Sequence, residues 1–317
     1  MYAREYRSTR PHKAIFFHLS CLTLICSAQV YAKPDMRPLG PNIADKGSVF
    51  YHCTTSFDSV DGTRHYRVWT AVPNTTAPAS GYPILYMLDG NAVMDRLDDE
   101  LLKQLSEKTP PVIVAVGYQT NLPFDLNSRA YDYTPAAESR KTDLHSGRFS
   151  RKSGGSNNFR QLLETRIAPK VEQGLNIDRQ RRGLWGHSYG GLFVLDSWLS
   201  SSYFRSYYSA SPSLGRGYDA LLSRVTAVEP LQFCAKHLAI MEGSATQGDN
   251  RETHAVGVLS KIHTTLTILK DKGVNAVFWD FPNLGHGPMF NASFRQALLD
   301  ISGENANYTA GCHELSH

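Results

Sequence analysis

The chain has 317 residues, 41% of them hydrophobic and 20% charged, with a formal net charge of +4. This is an ordinary globular composition, long enough for one sizeable core. Most of the excess charge sits in the first 32 residues, which hold four Lys/Arg and one Glu; the remainder carries 29 basic against 28 acidic residues, or +1. A nucleic-acid-binding footprint is thereby excluded.

In chain order, the first feature is a targeting segment. Arg4, Arg7, Arg10 and Lys13 precede an apolar run, Ala14 to Ala28, interrupted at His18, and Ala32 stands at a suitable cleavage position. Charge, apolar core and small-residue site are the marks of an export signal. The run is short for a stable span, although an uncleaved signal would act as an inner-membrane anchor. Three of the five cysteines follow Ala32: Cys53, Cys234 and Cys312. In an oxidising compartment they allow one intramolecular disulfide, whose pairing the sequence leaves open. None lies in a CxxC motif, which argues against a metal or redox site. The remaining residues, 33–317, read as one domain.

HYRVWTAVP (65–73) alternates and predicts a strand, and YPILYMLDG (82–90) predicts a buried strand running into an Asp-Gly turn. Residues 95–106 show helical spacing. PVIVAVGY (111–118) is a second buried strand. Residues 130–157 are polar, aperiodic and end in Ser-Gly-Gly-Ser, which predicts a long loop, either a solvated surface segment or a functional lid. Residues 158–173 predict an amphipathic helix that Pro169 bends or interrupts. RRGLWG leads a short strand into GHSYGG, and GGLFVLDSWL continues as a helix. YYSASPSL, HLAIMEG and AVFWDFP supply three further strands, and residues 253–272 and 290–301 two helices. Buried strands alternating with helices predict an α/β fold, a mostly parallel sheet covered on both faces.

Gly186-His187-Ser188-Tyr189-Gly190 fits G-x-S-x-G at the required strand-to-helix junction. Glycines two residues before and after Ser188 would let neighbouring backbone pass a strained turn that lifts the hydroxyl above the sheet. A serine hydroxyl is a poor nucleophile without a base. His286, in the loop FPNLGHG after the last strand, stands where that base belongs. His237, His254, His263, His313 and His317 fit less well, and His187, adjacent to the serine, is expected to point elsewhere. Glu242 and Asp249 follow the HLAIMEG strand and are the candidate acids, neither with a persuasive signature, so a Ser–His dyad stays open beside a triad. The oxyanion donors expected are the backbone N–H of Tyr189 and that of Gly90 or Asn91 in the LDGN loop.

Together YPILYMLDGN, RAYDYTP, GLWGHSYGGLFVL, SASPSL and FPNLGHG resemble the esterase-D-like branch of the α/β hydrolases over most of residues 50–300. With the export signal, the chain is similar to the periplasmic esterases that hydrolyse the trilactone of enterobactin and of its glucosylated forms, the salmochelins. That resemblance implies an α/β-hydrolase fold and Ser188 and His286 as a dyad. It also implies a substrate-binding role for Arg129, whose planar guanidinium suits anionic, oxygen-rich catecholates. Arg148, Arg151 and Lys152 would extend a cationic rim. No metal or organic cofactor is required, since iron would arrive with the substrate. The expected form is a periplasmic monomer, soluble or anchored, that binds no nucleic acid. The competing readings are an exported carboxylesterase for another aryl or acyl ester, and a non-catalytic siderophore-binding protein.

Overall fold

Residues 82–88 read YPILYML, and every one of these side chains is buried. A strand apolar on both faces needs cover on both sides. It obtains that cover in the middle of an eight-stranded sheet. The computed structural model describes residues 34–45, 49–136, 151–215, 218, 220–244 and 249–303, without the side chains of 249–256. The expected export segment, residues 137–150 of the expected loop and the tail from 304 lie outside the described residues.

The first half of the chain runs β1 (Phe50–Asp58), β2 (His65–Pro73), β3 (Tyr82–Leu88), α1 (Gly90–Arg96), α2 (Asp99–Ser106), β4 (Val112–Tyr118), α3 (Leu126–Asp132), α4 (Ser156–Leu162), a π-helical turn (Leu163–Ile167) and α5 (Ala168–Glu172). The second half runs β5 (Ile177–His187), α6 (Tyr189–Ser200), β6 (Ser206–Ala210), α7 (Ala220–Thr226), α8 (Pro230–Phe233), β7 (His237–Gly243), α9 (Asp249–Asp271), β8 (Ala276–Phe281) and α10 (Met289–Ile301). The strand order is β1-β2-β4-β3-β5-β6-β7-β8. β1 and β2 pair antiparallel with each other, and β2 pairs antiparallel with β4; every later pairing is parallel.

The central strands alternate between two cores. Ile84, Tyr86, Leu88, Val114 and Val116 point to a face covered by Leu192 and Phe193 of α6 and by Phe159 of α4. Leu85, Met87, Ile113, Ala115 and Trp185 point to the other, covered by Ala92 and Val93 of α1 and by Phe290 and Phe294 of α10.

Three departures from the sequence reading have local causes. Residues 95–106 form the end of α1 and all of α2, because Leu97 turns to extended backbone and the Asp98 carboxylate caps α2 by accepting from the Leu101 N–H at 2.8 Å. The helix expected over 158–173 begins at Ser156 and widens to a π turn just before Pro169. Proline has no N–H to give and its ring crowds the carbonyl four residues back, which the wider turn accommodates. The polar stretch from 130 is not all loop: Asp132 and Tyr133 are fully buried. Asp132 forms an ion pair with Arg64 at 2.8 Å and accepts from Tyr66 at 2.9 Å and Tyr118 at 3.0 Å. Cys234 is disulfide-bonded, and Cys53, exposed on β1, is free, so Cys53 is not its partner.

Truncating Ile84, fully buried at the sheet centre, to alanine is expected to lower the unfolding free energy by about 2–5 kcal/mol in denaturant titration. Val60→Ser, at a side chain 92% exposed, should stay within about 0.5 kcal/mol of the parent.

Candidate active site

From β3 the chain crosses to β4 on one side and later to β5 on the other. The helix after β3 packs on one face and the helix after β5 on the opposite face. The loops leaving β3 and β5 therefore part at the carboxyl edge of the sheet. Such a crevice is where open α/β sheets bind ligands.

Ser188 stands in this crevice, half-buried, at the junction of β5 and α6. Its φ of 61° and ψ of −115° are unfavourable for a residue with a Cβ. The turn is held from the neighbouring strand. Ser188 N–H donates to Ala210 O at 2.9 Å, and Ser188 O accepts from Leu192 N–H at 3.0 Å and from Ser213 N–H at 3.2 Å. Two glycines make the approach possible. A Cβ on Gly186 would lie 2.5 Å from the carbonyl of Gly190, and one on Gly191 would lie 2.6 Å from Ala210 O. A Cβ on Gly190 would meet nothing nearer than 3.5 Å. The crowded pair is thus 186 and 191, not the 186 and 190 of the motif.

His286 sits in the loop between β8 and α10 and is solvent-exposed. Its Nε2 lies 3.2 Å from Ser188 Oγ, and Ser213 Oγ lies 3.0 Å from the same oxygen. Desolvation by the surrounding protein, then the positive charge of Arg129, hold the His286 pKa below the ordinary imidazole value. Among the described residues no carboxylate is bonded to His286. Glu242 is the penultimate residue of β7, where a triad acid is sought, but it hydrogen-bonds Ser211, and burial pushes its carboxyl up to about 7. The side chain of Asp249 lies outside the described residues.

Arg129, on α3, is 8% exposed and faces inward. Its Nε and Nη2 donate to the two carboxylate oxygens of Asp89, each at 2.8 Å. Burial disfavours the Arg129 cation, but the Asp89 carboxylate more than offsets it and leaves the pKa above the ordinary guanidinium value. The Phe124, Tyr133 and Tyr189 rings lie 5.5, 5.6 and 5.5 Å from the guanidinium carbon. Its Nη1 makes no hydrogen bond among the described residues. Asp89 is itself left-handed, with φ 54°, and its N–H donates to the Tyr133 hydroxyl at 3.1 Å. It opens the turn that carries Gly90 and Asn91. The Asn91 side chain is fastened to the end of β4, accepting from Tyr118 N–H and donating to the carbonyls of Tyr118 and Thr120. Tyr189 N–H, first in α6, finds no acceptor in the helix.

Of the cationic rim, Arg151 and Lys152 are exposed, with Lys152 Nζ 4.6 Å from the Tyr131 ring centroid. Arg148 lies outside the described residues. Sequence reasoning missed Asp89, whose Asp-Gly reads as an ordinary turn, and Ser213, one serine among several. It also misplaced His187. That side chain turns toward the site, with Nε2 2.8 Å from His286 O.

The fold and this serine–histidine geometry define a serine ester hydrolase of the α/β-hydrolase class. A family model for putative esterases matches residues 59–279, and the chain belongs to that family. It is 99% identical, over the full length of both chains, to an apo-salmochelin esterase of Escherichia coli O6:H1 (strain CFT073). It is 30% identical to the ferri-bacillibactin esterase BesA of Bacillus subtilis, over 70% of this chain and 80% of that one. A solved structure of the enterobactin hydrolase IroE in complex with DFP is 91% identical, with a TM-score of 0.75, covering 83% of this chain and 100% of that one.

Gly186→Ala and Gly191→Ala are each expected to lower the thermal midpoint and abolish labelling of Ser188 by a fluorophosphonate, whereas Gly190→Ala should label. A histidine titration by NMR should place His286 below an ordinary imidazole. Arg129→Met should raise it, because losing the cation and leaving Asp89 unpaired both favour imidazolium. The same variant should cost about 3–5 kcal/mol of stability, the usual penalty for a widowed buried charge.

Proposed function

We propose that this chain hydrolyses the ester bonds of the catecholate siderophores enterobactin and salmochelin, with Ser188 as nucleophile and His286 as base. One observation carries the reading. A serine hydroxyl on a strained strand-to-helix turn lies 3.2 Å from an imidazole nitrogen, in a chain 99% identical to an apo-salmochelin esterase.

The chemistry is acyl transfer. His286 takes the Ser188 proton as Oγ attacks a lactone carbonyl. The tetrahedral oxyanion accepts hydrogen bonds from the N–H of Tyr189 and from that of Gly90 or Asn91. Preorganised donors of this kind cost no reorganisation as charge develops. His286 then protonates the departing alcohol, and water attacks the acyl-enzyme with His286 again the base. The lowered pKa of His286 keeps the imidazole neutral into mildly acidic solution, so base catalysis falls away only below the ordinary histidine range. With no carboxylate on His286 among the described residues, a Ser–His dyad is the simplest reading. Arg129, fixed by Asp89 through two of its nitrogens, offers Nη1 and its charge to an anionic catecholate. The basic and apolar run of residues 1–32 supports action after export, in the periplasm.

Incubating the purified protein with apo-enterobactin and apo-salmochelin, and following products by chromatography and mass, tests this. Ring-opened and linear products that vanish in Ser188→Ala are expected. An intact trilactone beside Ser188-dependent cleavage of a neutral aryl ester would reject the substrate class.

A further inference from the structure

We infer that His187 is a positioning residue that holds the main chain of His286 and packs against its ring, and so fixes where the base stands. The inference rests on His286 being the base. His187 precedes the nucleophile at the end of β5 and is buried at 7% exposure. Its ring lies against that of His286, centroids 4.6 Å apart and planes inclined at 44°, and makes a T-shaped contact with Phe290, centroids 5.6 Å apart. Its Nε2 stands 2.8 Å from the backbone carbonyl of His286.

A carbonyl oxygen only accepts, so the proton of His187 must be on Nε2. Burial, the neighbouring His286 and the cations Arg129 and Arg96 all disfavour a second proton, while the bond to the His286 carbonyl partly opposes them. The ring is therefore a neutral donor of fixed tautomer. It grips His286 at its own main chain and covers one face of its imidazole.

The loop needs such a grip. Asn283 is left-handed at φ 64°. The loop's own ties, Leu284 N–H to Phe281 O at 3.3 Å, Met289 N–H to Gly285 O at 3.2 Å and Phe290 N–H to Gly287 O at 3.1 Å, flank His286 without engaging it. Among the described residues no carboxylate orients the ring from Nδ1. The bond from His187 links the base to the residue adjacent to the nucleophile, so that both catalytic groups are referred to the end of one strand. A small displacement of a reacting group costs rate more than affinity.

The test compares His187→Phe, which keeps a ring without a donor, His187→Asn, whose amide is too short to reach, and His187→Gln, whose Nε2 falls near that of histidine. Each is measured by steady-state hydrolysis of a neutral aryl ester and by the rate of Ser188 phosphonylation with a fluorophosphonate. His286→Ala is carried as a control. Phe and Asn are expected to lower kcat by about tenfold to a hundredfold, with KM within about twofold, and to slow phosphonylation in parallel. Gln is expected to recover most of both losses. If Gln is as poor as Asn, or Phe and Asn behave like the parent, the inference is overturned. If Phe behaves like the parent while Asn fails, ring contact rather than the donor matters, which also overturns it. Should His286→Ala keep parental activity, the assignment of His286 as base fails first, and the two failures are thereby separated.

Discussion

Everything in the crevice depends on a backbone that is unfavourable at one residue. Ser188 sits at φ 61°, a conformation that costs of order 1–3 kcal/mol and persists only where the surroundings over-determine it. Here they do. Donation from Ser188 N–H to the end of β6, and from Ser213 N–H back to Ser188 O, ties the turn to a neighbouring strand. The parallel register that pairs His187 with Ala210 sets those partners in place. Two glycines clear the space, one before the serine and one three residues after it. The sheet is thus the source of the hydroxyl's position, and the flanking cores, each continuous across the central strands, are the source of the sheet's rigidity.

Around that turn, charge is placed with little freedom. The Asp89–Arg129 pair is nearly out of solvent, its two hydrogen bonds parallel and each 2.8 Å long. A buried pair of this kind is weak evidence for net stability, since desolvation opposes its attraction. Its consequence lies in geometry. Asp89 fixes both the turn that bears Gly90 and Asn91 and the direction of the Arg129 fork, while Arg129 sets the charge that His286 feels. The proposed substrate contact, the proposed oxyanion donors and the charge beside His286 are thus tied to the same pair, and on that proposal alteration of either member would disturb all three.

Much of the sheet was legible because its strands are apolar runs bounded by turns. HYRVWTAVP, HLAIMEG and AVFWDF stand almost residue for residue as β2, β7 and β8. Ser188 and His286 were legible as a pair because motif and chain order point to the same two residues, and the structure brings them to 3.2 Å. What hid was polar and buried. Asp132 reads as surface until Arg64, Tyr66 and Tyr118 are seen around it. Arg129 reads as an open cation, and its partner Asp89 as half of a loop dipeptide, because the residues between them carry no pattern linking the two. His187 was expected to turn away, since alternation along a strand says only which face a side chain leaves, not that the next loop returns over it.

The most direct test of the account is to trap the covalent intermediate. Rapid acid quenching during turnover of a siderophore trilactone, followed by digestion and mass spectrometry, reports which residue carries the acyl group. The account predicts an adduct on the peptide containing Gly183 to Gly191, localised to Ser188 and missing when Ser188 is alanine. An adduct on Ser213, whose hydroxyl lies only 3.0 Å away, or turnover that persists in Ser188→Ala, would contradict it.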